Sequence, residues 1–345
     1  MRTIFWEGDE LKMIDQRRLP DSLEIVAYRG HKEVAQAIKD MVVRGAPAIG
    51  AAGAFGLALA ARESPSATNE ELNADLHTAA DVLKAARPTA VNLAWAVDRL
   101  IGRIEEMKLN PDALRRAVLD EAQKIADEDV EINKRMAQHG AALISTGDTI
   151  IHHCNTGALA TVDWGTALGV IRMAHEHGKH LHVLVDETRP RLQGARLTAW
   201  ELTQYGISYE IISDNMAGYF LSIGKVQKVF FGADRVAANG DVANKIGTYM
   251  LSLAALDNRV PVYAVVPTST IDLSLKEGSL IPIEERDPNE VLDIQFRGER
   301  VAPKGAKALN PAFDITPHRL ISAIVTENGI IYPPFELNIP KFILP

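Results

Sequence analysis

The amino-acid sequence predicts an α/β fold in which a mainly helical N-terminal part precedes a parallel-sheet domain. From His31 to Gly140 the apolar residues recur at the spacing of amphipathic helices. After Gly147 short runs rich in β-branched and aromatic residues alternate with helical segments. That alternation is the rhythm of a parallel sheet with helices on both faces. A chain of 345 residues is long for one core. The change of rhythm near residues 140–148 therefore predicts two domains, 1–145 and 146–345.

The first 30 residues read as short strands and turns, with Leu23-Glu24-Ile25-Val26-Ala27-Tyr28 the clearest strand. Helices are expected over 31–41, 47–61, 69–87, 91–107 and 111–140. Pro47 and Pro111 suit a first helical turn, where the missing N–H costs nothing. Gly50, Gly53 and Gly56 are spaced GxxGxxG inside the second helix. A dinucleotide fingerprint needs a strand before it and an acidic residue after it. Neither is present, so these glycines predict close helix packing. Strands are expected over 149–153, 180–185, 208–212, 226–231 and 260–266, with helices over 165–177, 193–205, 215–223 and 245–256 between them. The stretch beyond residue 280 is rich in proline and short apolar runs, and its pattern assigns it no partner.

Composition narrows the function. Apolar residues make up 47% and charged residues 24%, as in ordinary soluble proteins. A formal charge of −8 without a basic block argues against a nucleic-acid partner. The single cysteine excludes an internal disulfide and suits a reducing compartment. The N-terminus turns acidic before an apolar core forms, so no secretory signal is expected. The longest apolar stretch, 46–61, is too short to span a bilayer. Cytoplasm is the expected location, with no membrane partner.

In an open parallel sheet, ligands bind outside the carboxyl ends of the strands. There the expected strands deliver Cys154, Asp186, Asp214 and Asp234. A free cysteine usually only packs. Cys154, however, is last in its strand and is followed by Asn155-Thr156-Gly157, a turn whose amides suit an anion. Asp234 follows Val229-Phe230-Phe231-Gly232-Ala233, and a carboxyl against apolar rings is raised toward the range of a general acid. Arg44-Gly45-Ala46-Pro47 precedes a helix start, where free N–H groups and an arginine fork suit phosphate. Asn244-Lys245 is expected to precede another helix start, near Ile246. His175, His177, His180 and His182 have no carboxylate or thiol at ligand spacing, so no metal site is expected.

Five motifs occur together and in order: Arg44-Gly45-Ala46-Pro47-Ala48-Ile49-Gly50, His153-Cys154-Asn155-Thr156-Gly157, the segment from Arg189 to Thr198, Gly232-Ala233-Asp234-Arg235, and the segment from Asn244 to Tyr249. With Asp15-Gln16 and Leu19-Pro20 near the N-terminus, they make the chain resemble the methylthioribose-1-phosphate isomerase family over nearly its whole length. The resemblance implies a helical N-terminal domain with a small antiparallel sheet, a Rossmann-like C-terminal domain, a homodimer, and no metal or nucleotide cofactor. It also implies aldose–ketose isomerisation of a sugar phosphate in methionine salvage. By position, Cys154 and Asp234 match the family's catalytic pair. Arg44, Gly45, Ala46, Arg87, Gln193, Asn244 and Lys245 match its substrate-binding positions. Ribose-1,5-bisphosphate isomerases and regulatory subunits of a translation-initiation exchange factor share this fold and stand as the alternatives.

Overall fold

The computed structural model describes residues 1–88 and 90–343; Thr89, Leu344 and Pro345 lie outside them. The chain divides into two compact units. One comprises Met1–Lys134 with Thr156–Gly165, and the other Arg135–Asn155 with the chain from Thr166 onward.

The first unit opens with an antiparallel sheet of β1 (Ile4–Glu7), β2 (Glu10–Ile14) and β3 (Ile25–Tyr28). Four helices follow, α1 (His31–Lys39), α2 (Ala46–Glu63), α3 (Asn69–Ala85) and α4 (Val91–Glu105), and then the long α5 (Pro111–Ala141), which belongs to this unit as far as Lys134. α2 is buried on every side from Ala48 to Ala61. Its glycines explain how neighbouring helices come so close. A Cβ on Gly50 would lie 2.9 Å from the Asn92 carbonyl of α4, and one on Gly53 would lie 2.5 Å from Leu93. On Gly56 it would meet Leu83 of α3 at 2.7 Å. The glycine spacing serves helix packing, as expected.

Segment 156–165 is held into this unit by its neighbours. Thr3 bonds the Ala158 carbonyl through its hydroxyl at 2.7 Å and the Val162 carbonyl through its amide at 2.9 Å. Gln16 Nε2 donates to the Leu159 carbonyl at 2.6 Å. Asp129 accepts the Val162 amide at 2.8 Å.

The second unit carries a seven-stranded sheet built on β4 (Thr149–His152), β5 (His182–Asp186), β6 (Ser208–Ile212) and β7 (Lys228–Phe231). β8 (Arg235–Ala237) and β9 (Val242–Lys245) leave it as a hairpin, and β10 (Val262–Val265) returns to it. The hairpin joins β11 (Ile271–Asp272) and β14 (Phe313–Thr316) in a four-stranded sheet. β12 (Gln295–Phe296) and β13 (Glu299–Arg300) pair with each other, while β15 (Ala323–Thr326) and β16 (Gly329–Ile331) complete the large sheet. Its strands are parallel apart from β16, and the buried core residues Ile151, Leu184, Val229, Phe231 and Ala264 read as continuous apolar runs. The helices of this unit are α6 (Ala167–Glu176), α7 (Ala199–Tyr205), α8 (Ala217–Ser222), α9 (Thr248–Asp257), α10 (Asn289–Leu292) and α11 (Phe335–Ile343). Much of the chain beyond residue 280 thus extends the two sheets. Among the described residues no helix is long and apolar enough to cross a membrane.

Burial and the nearby Asp163 charge push the Asp129 carboxyl up to about 7, against its bond to Val162. A carboxyl whose folded value exceeds its unfolded value adds stability at low pH. That contribution is lost as pH rises from about 4 through about 7. Between pH 5 and pH 8 the urea midpoint of the wild type should therefore fall further than that of Asp129→Asn, whose amide oxygen can still accept the Val162 amide. Parallel changes in the two proteins would remove Asp129 as the source.

Candidate active site at the reversal of strand order

The parallel strands of the large sheet lie in the order β15-β10-β7-β4-β5-β6. Counted along the chain, the order is 6-5-4-1-2-3, so the strand sequence reverses between β4 and β7. Crossovers diverge at such a reversal and leave a crevice at the carboxyl ends of the two central strands. Cys154 follows β4 and Asp234 follows β7. The register pairs Ile151 with Val229 and His152 with Phe230, so the two strand ends lie side by side.

Cys154 sits in a left-handed turn, φ 69°, which residues with a Cβ rarely adopt. Two buried threonines hold it there. Its amide donates to Thr188 Oγ1 at 2.9 Å, and its carbonyl accepts from Thr198 Oγ1 at 2.7 Å. Thr188, just past β5, is itself left-handed at φ 61°. Its amide donates to Asp214 Oδ1 at 2.7 Å, and the Arg189 amide donates to Asp214 Oδ2 at 2.8 Å. Asn155 donates to Glu201 at 2.8 Å and to Thr198 at 3.2 Å, both buried.

Thr198 ends a π-helical segment, Gly194–Thr198, directly before α7. Such widened turns recur at functional sites. A Cβ on Gly194 would lie 1.8 Å from the Asp186 carbonyl, so only glycine fits. Gln193 precedes it, 6% exposed, and its Oε1 has no hydrogen-bond partner among the described residues. Orphaned buried acceptors are uncommon in folded proteins and mark places where a donor is missing.

His153 and Asp186 are each 1% exposed and meet at 2.8 Å through Nδ1 and Oδ2. His153 Nε2 lies 2.9 Å from the Ile246 carbonyl. Burial opposes charge on the ring, but the Asp186 carboxylate pushes His153 up to about 9. The adjacent His152 is pushed down to about 3 by burial and the charge of its neighbour. One possible metal-binding group emerges among the described residues: atoms of His153, Asp186 and Asp214 lie within 4.8 Å of one another. Both His153 nitrogens and both Asp214 oxygens already bond protein groups, and Asp186 spends Oδ2 on His153. The cluster reads as a hydrogen-bond network.

Beyond β7, the Asp234 amide donates to the Ala243 carbonyl at 2.9 Å, opening the β8–β9 hairpin. Here the structure corrects the sequence reading. Asn244 and Lys245 end strand β9, paired with Asp314 and Phe313 of β14, and do not begin a helix. α9 starts at Thr248 after left-handed Gly247. The helix-start amides of Gly247 and Tyr249 are taken by the Asp314 carboxylate at 2.7 and 3.1 Å. Asp314 thus fills part of the place an anion would take at this helix start. Lys245 is 6% exposed, donates to the Ala312 carbonyl at 2.9 Å and lies 4.5 Å from the Phe313 ring centroid. Asn244 donates to Thr248 Oγ1 at 3.0 Å.

The second unit thus contains Cys154, Gln193, Asp234, Asn244 and Lys245; the first contains Arg44, Gly45, Ala46 and Arg87. Gly45 precedes α2 at φ 98°, and a Cβ there would lie 2.2 Å from the Ala160 carbonyl. Arg44 leads into that turn, and Arg87 lies between α3 and α4. Sequence reasoning missed Thr188, Thr198, His153 and Asp314. His153 and Thr198 stood inside two of the ordered motifs and Thr188 just past an expected strand, whereas Asp314 carried no signal.

A Rossmann strand order with Cys154 and Asp234 beyond the two strands at its reversal point defines a doubly wound α/β protein. More particularly, the chain belongs to the initiation factor 2 subunit family, whose model matches residues 42–333. It is 53% identical to a methylthioribose-1-phosphate isomerase of Synechococcus sp., over 97% of this chain and 95% of that one. It is likewise 53% identical to the enzyme of that name in Thermosipho africanus, over 98% and 97%. Among solved structures it resembles 5-methylthioribose 1-phosphate isomerase from Pyrococcus horikoshii, with TM-score 0.93, 47% identity and coverage of 99% and 95%. It also resembles translation initiation factor eIF-2B, subunit delta, from A. fulgidus, with TM-score 0.90, 46% identity and coverage of 99% of both chains.

Gly194→Ala should lower the thermal unfolding midpoint, because a methyl group at 1.8 Å forces the π turn off the end of β5. Overpacking of this kind costs about 1–3 kcal/mol. An unchanged midpoint would show that this turn tolerates displacement.

Proposed function

We propose that the chain is an aldose–ketose isomerase that converts 5-methylthioribose 1-phosphate to 5-methylthioribulose 1-phosphate, a step of methionine salvage. The observation that carries this reading is the reversal of strand order with Cys154 beyond one central strand and Asp234 beyond the other. The full-length likeness to isomerases supports it further. In this reading residues 1–145 contribute Arg44, Gly45, Ala46 and Arg87 to substrate binding, and residues 146–345 contribute Gln193, Asn244 and Lys245. The orphaned Gln193 carbonyl oxygen suits a sugar hydroxyl.

The chemistry follows from the substrate. Phosphate on the anomeric carbon prevents the ring from opening spontaneously to an aldehyde. Asp234 gives a proton to the ring oxygen as its bond to C1 breaks, leaving positive charge shared between C1 and the phosphate-bearing oxygen. Cys154, as thiolate, takes the C2 proton, and the C–H electron pair forms the C1–C2 double bond of an enol phosphate. The thiol then protonates C1 while Asp234 recovers the proton of the C2 hydroxyl, which leaves the ketone. Both groups end in their starting states, and no oxidant or reductant is consumed.

Purified protein should turn over 5-methylthioribose 1-phosphate in the presence of chelator and leave ribose 1,5-bisphosphate largely unreacted. Cys154→Ser and Asp234→Asn should each lower kcat by about 10²–10⁴. In deuterated water the wild type should place solvent label at C1 of the product. Turnover of the bisphosphate alone would move the reading to that isomerase. Absence of turnover on either would favour a non-catalytic subunit, the reading that the A. fulgidus neighbour's name favours.

The active form is a cytoplasmic homodimer in this proposal. Met216, Tyr219 and Ile223 follow one helical face through α8 and are 48%, 61% and 54% exposed, and Met250 of the adjacent α9 is 53% exposed. An apolar face of this kind suits a second copy of the same chain. Light scattering should give a dimer for the wild type and a monomer for Tyr219→Glu combined with Met250→Glu. A dimeric double variant would place the interface elsewhere.

A further inference from the structure

The Ile246 carbonyl can only accept, so His153 Nε2 must carry a proton. On the other side of the ring, Nδ1 and Asp186 Oδ2 are 2.8 Å apart, a separation that requires one proton between them. Asp186 Oδ1 is buried and has no hydrogen-bond partner among the described residues, so this carboxylate depends on His153 alone. The surroundings are built to the ring. A Cβ on Gly247 would lie 3.0 Å from His153 Cε1, and Gly247 has φ 102°.

We propose that His153 is a positioning residue: a buried ring whose shared proton ties the Cys154 end of β4 to β5 through Asp186 and to the Asn244–Lys245 segment through the Ile246 carbonyl. The inference rests on the proposed isomerase reading, in which Cys154 and that segment act on the substrate. Loss of the shared proton would set an imidazole lone pair against a buried carboxylate, and the link would break.

The ionisable groups that act on the ring are Asp186 on β5, Cys154 and His152 at the end of β4, Asp214 after β6, and Asp314 on β14. Asp214 and Asp314 both spend their oxygens on backbone amides, which leaves Asp186 as the acid bonded to the ring. Burial disfavours the proton, yet the Asp186 bond and charge, with smaller contributions from Cys154 and Asp214, hold it up to about 9. The link is therefore intact at neutral pH and fails as pH rises through about 9. Asp186→Asn separates proton from shape, because an amide NH2 can donate to a neutral ring and keep the same contact.

The test is the pH dependence of kcat, measured alongside proton NMR of the wild type and both variants. Wild-type kcat should fall as pH rises through about 9, and in Asp186→Asn that fall should be absent, whatever its rate at neutral pH. His153→Gln should lose about tenfold in kcat, with KM changed by less than about threefold, because the ring is 1% exposed and both its nitrogens bond within the protein. A far-downfield proton should appear in the wild type and vanish in both variants. Superimposable kcat profiles for wild type and Asp186→Asn, or a wild-type spectrum without that proton, would overturn the inference. The isomerase reading fails by a different result, absence of wild-type turnover on 5-methylthioribose 1-phosphate.

Discussion

Ending two neighbouring parallel strands in left-handed turns is costly, because a Cβ in that region crowds the backbone by about 1–2 kcal/mol per residue. Both β4 and β5 end so, at Cys154 and Thr188. The same turns point backbone groups out of the sheet, where they need partners. The Thr188 hydroxyl takes the Cys154 amide and gives its own proton to the Asp186 carbonyl at 3.0 Å. The Thr198 hydroxyl closes the other side of Cys154, and it arrives there because the Gly194–Thr198 segment is wound one residue wide. Each strained turn is thus satisfied by the next one along, and the thiol is fixed on a rigid frame.

That frame extends outward through residues that never approach the thiol. Asp214 caps the loop of Thr188 and Arg189, and Glu201 receives Asn155 from inside the sheet domain. On the far side of the reversal, β9 pairs with β14, and Asp314 occupies the helix-start amides of α9. A charged side chain at a helix start offsets the dipole that an incoming phosphate would otherwise exploit. The arrangement puts more of any anion contact in that segment on the Lys245 and Asn244 side chains. Lys245 is stiffened by the Phe313 ring and the Ala312 carbonyl, so little side-chain entropy remains to be lost on binding.

Much of this was legible in the sequence, and the reason is periodicity. Helices with one buried face and strands buried on both faces write their spacing into the chain, so α1 through α5 and β4 through β7 fall within a few residues of expectation. Cys154, Asp186, Asp214 and Asp234 were readable as strand-end groups for the same reason. The β8–β9 hairpin was not, because Val242-Ala243-Asn244-Lys245 carries no alternation and runs straight toward a true helix. The Thr198 clamp and the His153 network were invisible as well. Their partners lie 44 residues away for Thr198 and 33 and 93 for His153, and only the folded sheet brings them together. Five motifs in order suggested the family, but not which hydroxyls and carboxylates hold those motifs in shape.

Two of the solved structures it resembles, nearly equal in likeness, carry names from different worlds, a sugar-phosphate isomerase and a translation initiation factor subunit. Fold alone cannot separate such roles, because one scaffold hosts many functions. The distinction must lie in groups whose presence is costly unless they act. A left-handed cysteine is such a group, since glycine would adopt its φ without strain. So is the buried Gln193 acceptor, left without a donor among the described residues, which a smaller apolar side chain would avoid. A binding subunit gains nothing from either, whereas a catalyst needs a rigidly held thiol and an acceptor ready for a hydroxyl. The local costs at the reversal point therefore argue for chemistry more strongly than the scaffold that carries them.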